Sequence, residues 1–152
     1  MEPVIEDRPA TTIAGLQIRT VPMSPEIPAL WPRFVPRIEE IGQRLVPGET
    51  YGVMSPAGPD LAQLDYLAGV AVAEASALPE GITSWTLPAA TYAVFRMPFG
   101  RIGPAYDEIF RRWLPGSAYV QATGPLYERY DPDFCPDRPE SLVDIGVPVR
   151  PR

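Results

Sequence analysis

The sequence predicts an α+β fold: two βαββ repeats, spanning about residues 11–75 and 82–149, that form one antiparallel sheet with two helices packed against it. Three observations carry this expectation. The 21 prolines and 12 glycines fall largely at the edges of short apolar segments, which divides the chain into many strands and turns. Two longer stretches carry apolar residues at three- and four-residue spacing, the pattern of a helix with one face toward a core. The order strand, helix, strand, strand occurs twice at an offset of about 76 positions, with Val21-Pro22 matching Met97-Pro98, Tyr51 matching Tyr127 and Ala68-Gly69-Val70 matching Ile145-Gly146-Val147. A single unit of this kind leaves a sheet face bare, so two must associate to close a core.

Residues 1–10 are polar and proline-bounded and predict a flexible N-terminal arm, leaving 11–152 as a single domain. Thr11 to Val21 alternates as a strand. Ser24-Pro25-Glu26 then supplies a cap, a proline suited to a first turn and an early acid. Ile27, Leu30, Trp31, Phe34, Ile38, Ile41 and Leu45 follow as one helical stripe, interrupted by Pro32 and Pro36, which predict a kinked or broken helix. Thr50 to Met54 and Leu64 to Val72 complete the first repeat as strands, joined through Ala57-Gly58-Pro59-Asp60. The second repeat opens with a strand region from Ser84 to Met97. A helix from about Gly103 to Leu114, bearing Tyr106, Ile109, Phe110 and Trp113, stops at Pro115-Gly116. Strands over Pro125–Asp131 and Leu142–Val149 close the unit.

Composition excludes several functions. Net charge is -6 and no basic run exceeds Arg111-Arg112, so nothing in the chain follows a phosphate backbone and direct nucleic-acid binding is not expected. The apolar runs are far shorter than the roughly 20 residues of a membrane span, and a cytoplasmic protein is expected. With no histidine and one cysteine, Cys135, the chain holds neither the common zinc sites nor a Ser-His or Cys-His nucleophile. No cofactor or metal is expected. Chemistry is left to carboxylates, tyrosines and water.

Glu128 is the candidate of most interest. In Leu126-Tyr127-Glu128-Arg129-Tyr130, alternation sets Glu128 on one face with Leu126 and Tyr130 and turns Tyr127 and Arg129 the other way. A carboxylate on an apolar face needs a partner or gives up its charge. The chain has no lysine, and its nearest arginine points away. Room is left for a cation from outside; the plain alternative is a solvated residue on the sheet surface. The position matching Glu128 in the first repeat is Gly52, so the acid is not demanded by the repeat, and the glycine leaves space that a ligand or a bulge would use.

Several segments together resemble the GyrI-like, or AraC-type effector-binding, domains. They are Leu64-Asp65-Tyr66-Leu67-Ala68-Gly69-Val70, Leu78-Pro79-Glu80-Gly81, Leu87-Pro88-Ala89-Ala90-Thr91-Tyr92-Ala93-Val94-Phe95, Trp113-Leu114-Pro115, Tyr127-Glu128-Arg129-Tyr130-Asp131 and Asp144-Ile145-Gly146-Val147-Pro148-Val149. The similarity runs from about Thr11 to Val149. It implies a central, aromatic-lined ligand pocket in which the glutamate of the Glu-x-Tyr strand meets organic, often cationic ligands, here through Glu128 and Tyr130. Ala90, where the family usually has glycine, and the prolines of the first helix depart from the pattern.

The ligand-binding candidates are Glu128, Tyr130, Trp85, Tyr51, Tyr66, Phe95, Tyr106, Trp113 and Gly52. Tyr92 and Phe95 alternate, so at most one of them shares the face of Glu128. Helical stripes assign Trp31, Phe34, Phe110 and Trp113 mainly to core packing. The expected function is binding of lipophilic, cationic or planar aromatic small molecules, for sensing or sequestration, with a separate regulator as a possible partner. Two alternatives stay open. One is a hydrolase opening strained cyclopropane rings, as some GyrI-like relatives resemble, with Glu128 and Tyr130 as catalytic groups. The other is a protein-interaction role like that of gyrase-inhibitory relatives.

Overall fold

A computed structural model describes residues 1–57, 63–75 and 77–152. The first repeat comprises β2 (Thr11–Thr20), α1 (Glu26–Phe34), β3 (Thr50–Ala57) and β4 (Gln63–Val72); the second comprises β6 (Ala90–Pro98), α2 (Ile102–Glu108), β8 (Leu126–Tyr130) and β9 (Leu142–Pro151). Strands β1 (Val4–Arg8), β5 (Thr83–Leu87) and β7 (Tyr119–Gln121) are additions to the repeated plan. Among the described residues the strands form one nine-stranded antiparallel sheet in the order β1-β6-β9-β8-β3-β4-β2-β5, with β7 paired to β9. The order is mirrored about the β8–β3 pair. In that pair Gly52 lies directly opposite Glu128, the position that matches it in the other repeat. The local twofold relation between the halves therefore passes between these two residues.

The supposed loose arm is a strand. Residues 4–8 pair with β6 from Val4 opposite Val94 to Arg8 opposite Ala90. What local polarity hides is an open sheet edge that takes up the segment's backbone donors and acceptors. The region from Ser84 to Met97 is two strands, because Pro88 and Ala89 turn the chain from β5, on one end of the sheet, to β6, near the other. A two-residue link between opposite ends of the path requires the sheet to curl. Its inner face accordingly collects Ile13 and Leu87 from one end, Tyr92 and Val94 from the other, and Tyr51, Val53, Leu67 and Tyr127 from the middle. Arg8 donates to the Tyr51 hydroxyl at 3.0 Å and lies over the Tyr127 ring, tying β1 to this core.

The outer face is covered by helices. Leu30 and Phe34 of α1 pack with Ala14, Tyr66, Ala68 and Val70, whereas Ala105 and Ile109 pack with Phe95, Val143, Ile145 and Tyr130. Ser24 accepts the Glu26 amide at 3.1 Å at the start of α1, and the helix gives way to a 3-10 segment, Val35–Glu40, at Pro36. The break expected from the prolines falls at Pro36, whereas Pro32 sits inside α1, which runs through it. Leu45 is a correction: it lies beyond both helical pieces, bonds its amide to the Ala71 carbonyl and is exposed, so the stripe ends at Ile41. The second helix runs through a π-helical turn, Ile109–Trp113, before a short α-helical end at Leu114–Gly116. In the connection Ala57-Gly58-Pro59-Asp60, residues 58–60 lie outside the described residues. No helix among the described residues is long and apolar enough to cross a membrane.

On the inner side of β9, Asp144 is buried and receives Arg96 Nε at 2.8 Å and Arg129 Nη2 at 2.7 Å. Burial pushes its carboxyl up, but the two guanidinium groups outweigh this and hold it below the ordinary carboxylate range. Its contribution to stability is present above the unfolded value, about 3.9, and is lost as pH falls through the lower folded value. Asp144→Ala should cost about 3 kcal/mol in urea unfolding at neutral pH, because it strands the half-buried Arg129 charge. A loss within about 0.5 kcal/mol, the range of an ordinary surface change, would show that the pair is merely solvated.

Candidate functional site

Glu128 sits at the middle of the outer face, in the seam between the two helix-covered cores. Alternation along β8 places Leu126, Glu128 and Tyr130 outward and Tyr127 and Arg129 inward, as the sequence predicts. The residue is 9% exposed. Tyr106 of α2 donates its hydroxyl to Glu128 Oε2 at 2.6 Å, and Tyr130 donates to Oε1 at 2.5 Å. The same Tyr106 hydroxyl lies 3.9 Å from Met54 Sδ. Each carboxyl oxygen thus has one phenol, and among the described residues no guanidinium or amine pairs with it. Burial pushes the Glu128 carboxyl up, and the two phenol donors oppose this only in part. Tyr106 and Tyr130 are themselves raised well above the usual phenol range, first by burial and then by the nearby carboxylate.

The glycine across the strand pair is put to use. A Cβ on Gly52 would fall 2.3 Å from the Tyr66 hydroxyl, so Tyr66 leans diagonally from β4 over the bare backbone toward Glu128. Trp31 of α1 donates its indole N–H to that hydroxyl at 3.0 Å, and its ring meets Tyr130 edge-on at 5.7 Å. Burial raises the Tyr66 phenol, and the Glu128 charge raises it further. Tyr130 also packs on Phe134 and Phe99, at 4.7 and 6.2 Å between ring centres.

The structure therefore brings together Glu128, Tyr130, Tyr106, Tyr66 and Gly52. Phe95 and Trp113 share the core that includes Tyr130 and meet each other edge-on at 5.1 Å, but they have no described hydrogen bond to the carboxyl. Tyr51 and Trp85 lie apart from this group. Both belong to the inner face, where Tyr51 bonds Arg8 and Trp85 lies opposite Ile13 and donates to Gln17 at 2.9 Å. The pleat decides this: Tyr51 neighbours Gly52 and must point the other way, and Trp85 shares the side of Ile13. Tyr92 faces inward and Phe95 outward, as alternation requires. Trp31 and Met54 also reach this cluster, Met54 through the Tyr106 hydroxyl. The helical stripe assigns Trp31 to core packing, and it does pack at the edge of both outer cores while its polar indole N–H reaches the seam.

Glu128 is closed over by these rings and does not form the floor of an open hollow. Two surface hollows lie elsewhere, one of about 200 Å³ beside Arg101 and Ala105, the other of about 320 Å³ over Asp65 and Trp85.

The chain is 31% identical over 150 residues to the transcriptional regulator BrlR of Pseudomonas aeruginosa; the match covers 95% of this chain and 54% of BrlR, so the chain spans about half the length of that relative. Its fold is similar to that of SAV2435 bound to tetraphenylphosphonium, with a TM-score of 0.77, 16% identity and coverage of 99% of this chain and 94% of the other. A putative transcription regulation protein of Staphylococcus aureus has a TM-score of 0.78 at 16% identity, covering 99% of both chains. The C-terminal domain of EcmrR gives 0.70 at 16% identity, covering 99% of this chain and 98% of that one. The sequence profile of the GyrI-like small molecule binding domain matches residues 1–150, and the chain belongs to that family.

Proposed function

We propose that this domain binds lipophilic organic cations, and planar aromatic molecules of similar shape, on the outer face at Glu128. The observation that carries the reading is a buried carboxyl with no cation of its own among the described residues, ringed by Tyr66, Tyr106, Tyr130 and Trp31 at the seam of two repeats. A delocalised cation there would gain the Glu128 charge and about 0.5–2 kcal/mol from each well-placed ring. Flat rings select flat, greasy ligands without fixing one exact shape. The tetraphenylphosphonium held by SAV2435 belongs to this chemical class.

Admission of a ligand requires Tyr106 to leave Glu128. The helix carrying Tyr106 continues into the π-helical turn Ile109–Trp113, an irregular segment of a kind frequent at functional sites. The likeness to BrlR favours sensing over sequestration, with a regulator segment or partner receiving the change.

Hydrolysis of strained rings is less well supported, because a general base must hold a water and both Glu128 oxygens are occupied by phenols. An activated cyclopropane should be recovered unchanged after incubation.

Tetraphenylphosphonium should quench tryptophan fluorescence saturably. The change should survive Trp85→Phe, on the inner face, and shrink in Trp31→Phe. A folded wild-type chain with no saturable response, or a response that vanishes with Trp85 alone, would overturn the assignment.

A further inference from the structure

The hydrogen-bond chain at Glu128 has room for one more proton than the ionised carboxylate uses. With the carboxylate charged, Tyr106 and Tyr130 each donate to one oxygen. With the carboxyl protonated on Oε2, its O–H can donate to Tyr106 Oη, and the Tyr106 proton then turns to Met54 Sδ, 3.9 Å away. Tyr130 keeps its bond to Oε1, so every donor still has an acceptor.

Among the described residues no neighbouring charge favours the ionised state in the closed site. The titratable groups facing Glu128 are the phenols of Tyr106 on α2, Tyr130 on β8 and Tyr66 on β4. The charges on the surrounding elements are engaged elsewhere. Arg129 and Asp144 pair with each other on the inner face, Glu26 of α1 accepts the Thr20 hydroxyl, and Asp107 and Glu108 of α2 meet Arg111 and the amino terminus. Arg33 lies in the exposed last turn of α1.

We propose that the closed site stores a proton on Glu128 and that a permanent organic cation binds by exchange for it, one cation entering as one proton leaves for solvent. This rests on the binding reading above. The carboxyl O–H bond breaks, its electron pair stays on the carboxylate, and the site is neutral before and after the exchange. Met54 and Tyr106 act as positioning residues for the stored proton.

Two measurements test the exchange. The first follows tetraphenylphosphonium binding by calorimetry from about pH 5.5 to about pH 8 in buffers of different ionisation enthalpy, above the range where an ordinary glutamate, near 4.3, still titrates. Affinity should rise about tenfold per pH unit at the acid end with close to one proton released, then level off. Met54→Leu keeps the volume but removes the sulfur acceptor; it should shift the profile toward acid. The second reads the Glu128 carboxyl by carbon-13 NMR without ligand, where its midpoint should lie above the ordinary glutamate value. Flat affinity with no proton release, or an ordinary midpoint, overturns the exchange while leaving cation binding intact. Absence of tetraphenylphosphonium binding at every pH overturns the binding reading, and the NMR midpoint then still decides where the proton sits.

Discussion

Glu128→Gln lowers the affinity for tetraphenylphosphonium by about 30-fold or more while making the unliganded protein more stable at neutral pH. The first half follows from removing one member of a desolvated charge pair, which costs roughly 2 kcal/mol at the least. The second follows from the unliganded site, where the carboxyl is buried without a counter-charge among the described residues. Because burial raises its folded value, it binds a proton more tightly folded than unfolded. Stability is therefore withdrawn as pH rises from the unfolded value, about 4.3, through the raised folded value, and the deficit is complete above it. Glutamine has no such proton. Wild type and variant should differ least at acid pH and diverge in the variant's favour toward neutral, as read by thermal melts across pH. A constant difference between the two profiles would remove the uncompensated acid from the account, and unchanged affinity would remove it from the site.

Gly52→Ala should destabilise the domain by about 1–3 kcal/mol and disturb the site at once. The new methyl would lie 2.3 Å from the Tyr66 hydroxyl and 3.0 Å from its ring carbon. Tyr66 cannot swing aside freely, since it is buried and held by the Trp31 indole. For a chain of this length the loss corresponds to a fall of roughly 3–10 °C in Tm. Tyr66→Phe removes the atom in closest conflict, so in the double variant the glycine substitution should cost less than it does alone. That coupling, measured as a double-mutant cycle, is the deciding result. Simple additivity would mean that Gly52 is a bend in the strand and not the floor beneath Tyr66.

Much of the architecture was legible because it depends on local periods. Alternation in β8 separated Glu128 and Tyr130 from Tyr127 and Arg129, and the offset between repeats matched Glu128 to Gly52, which the sheet then sets face to face. Pro36 foretold where the first helix gives way to a 3-10 segment, since a ring without an N–H withholds a helical hydrogen bond, whereas α1 runs through Pro32. The strand at Val4–Arg8 exists because β6, distant in sequence, offers an edge, and Trp85 lies inward because Ile13 opposite it does, whereas the inward turn of Tyr51 follows from alternation with Gly52.

The repeated plan and the outward turn of one acid on an apolar strand face could be read from the chain alone. These follow from residue identity and spacing. Contacts between remote residues set the rest: among the described residues two phenols and no guanidinium close on the carboxyl, Tyr66 fills the space over Gly52, and Trp31 joins the seam. Such contacts depend on how a curled sheet and two irregular helices bring remote side chains within about 3 Å, a distance that no local period encodes.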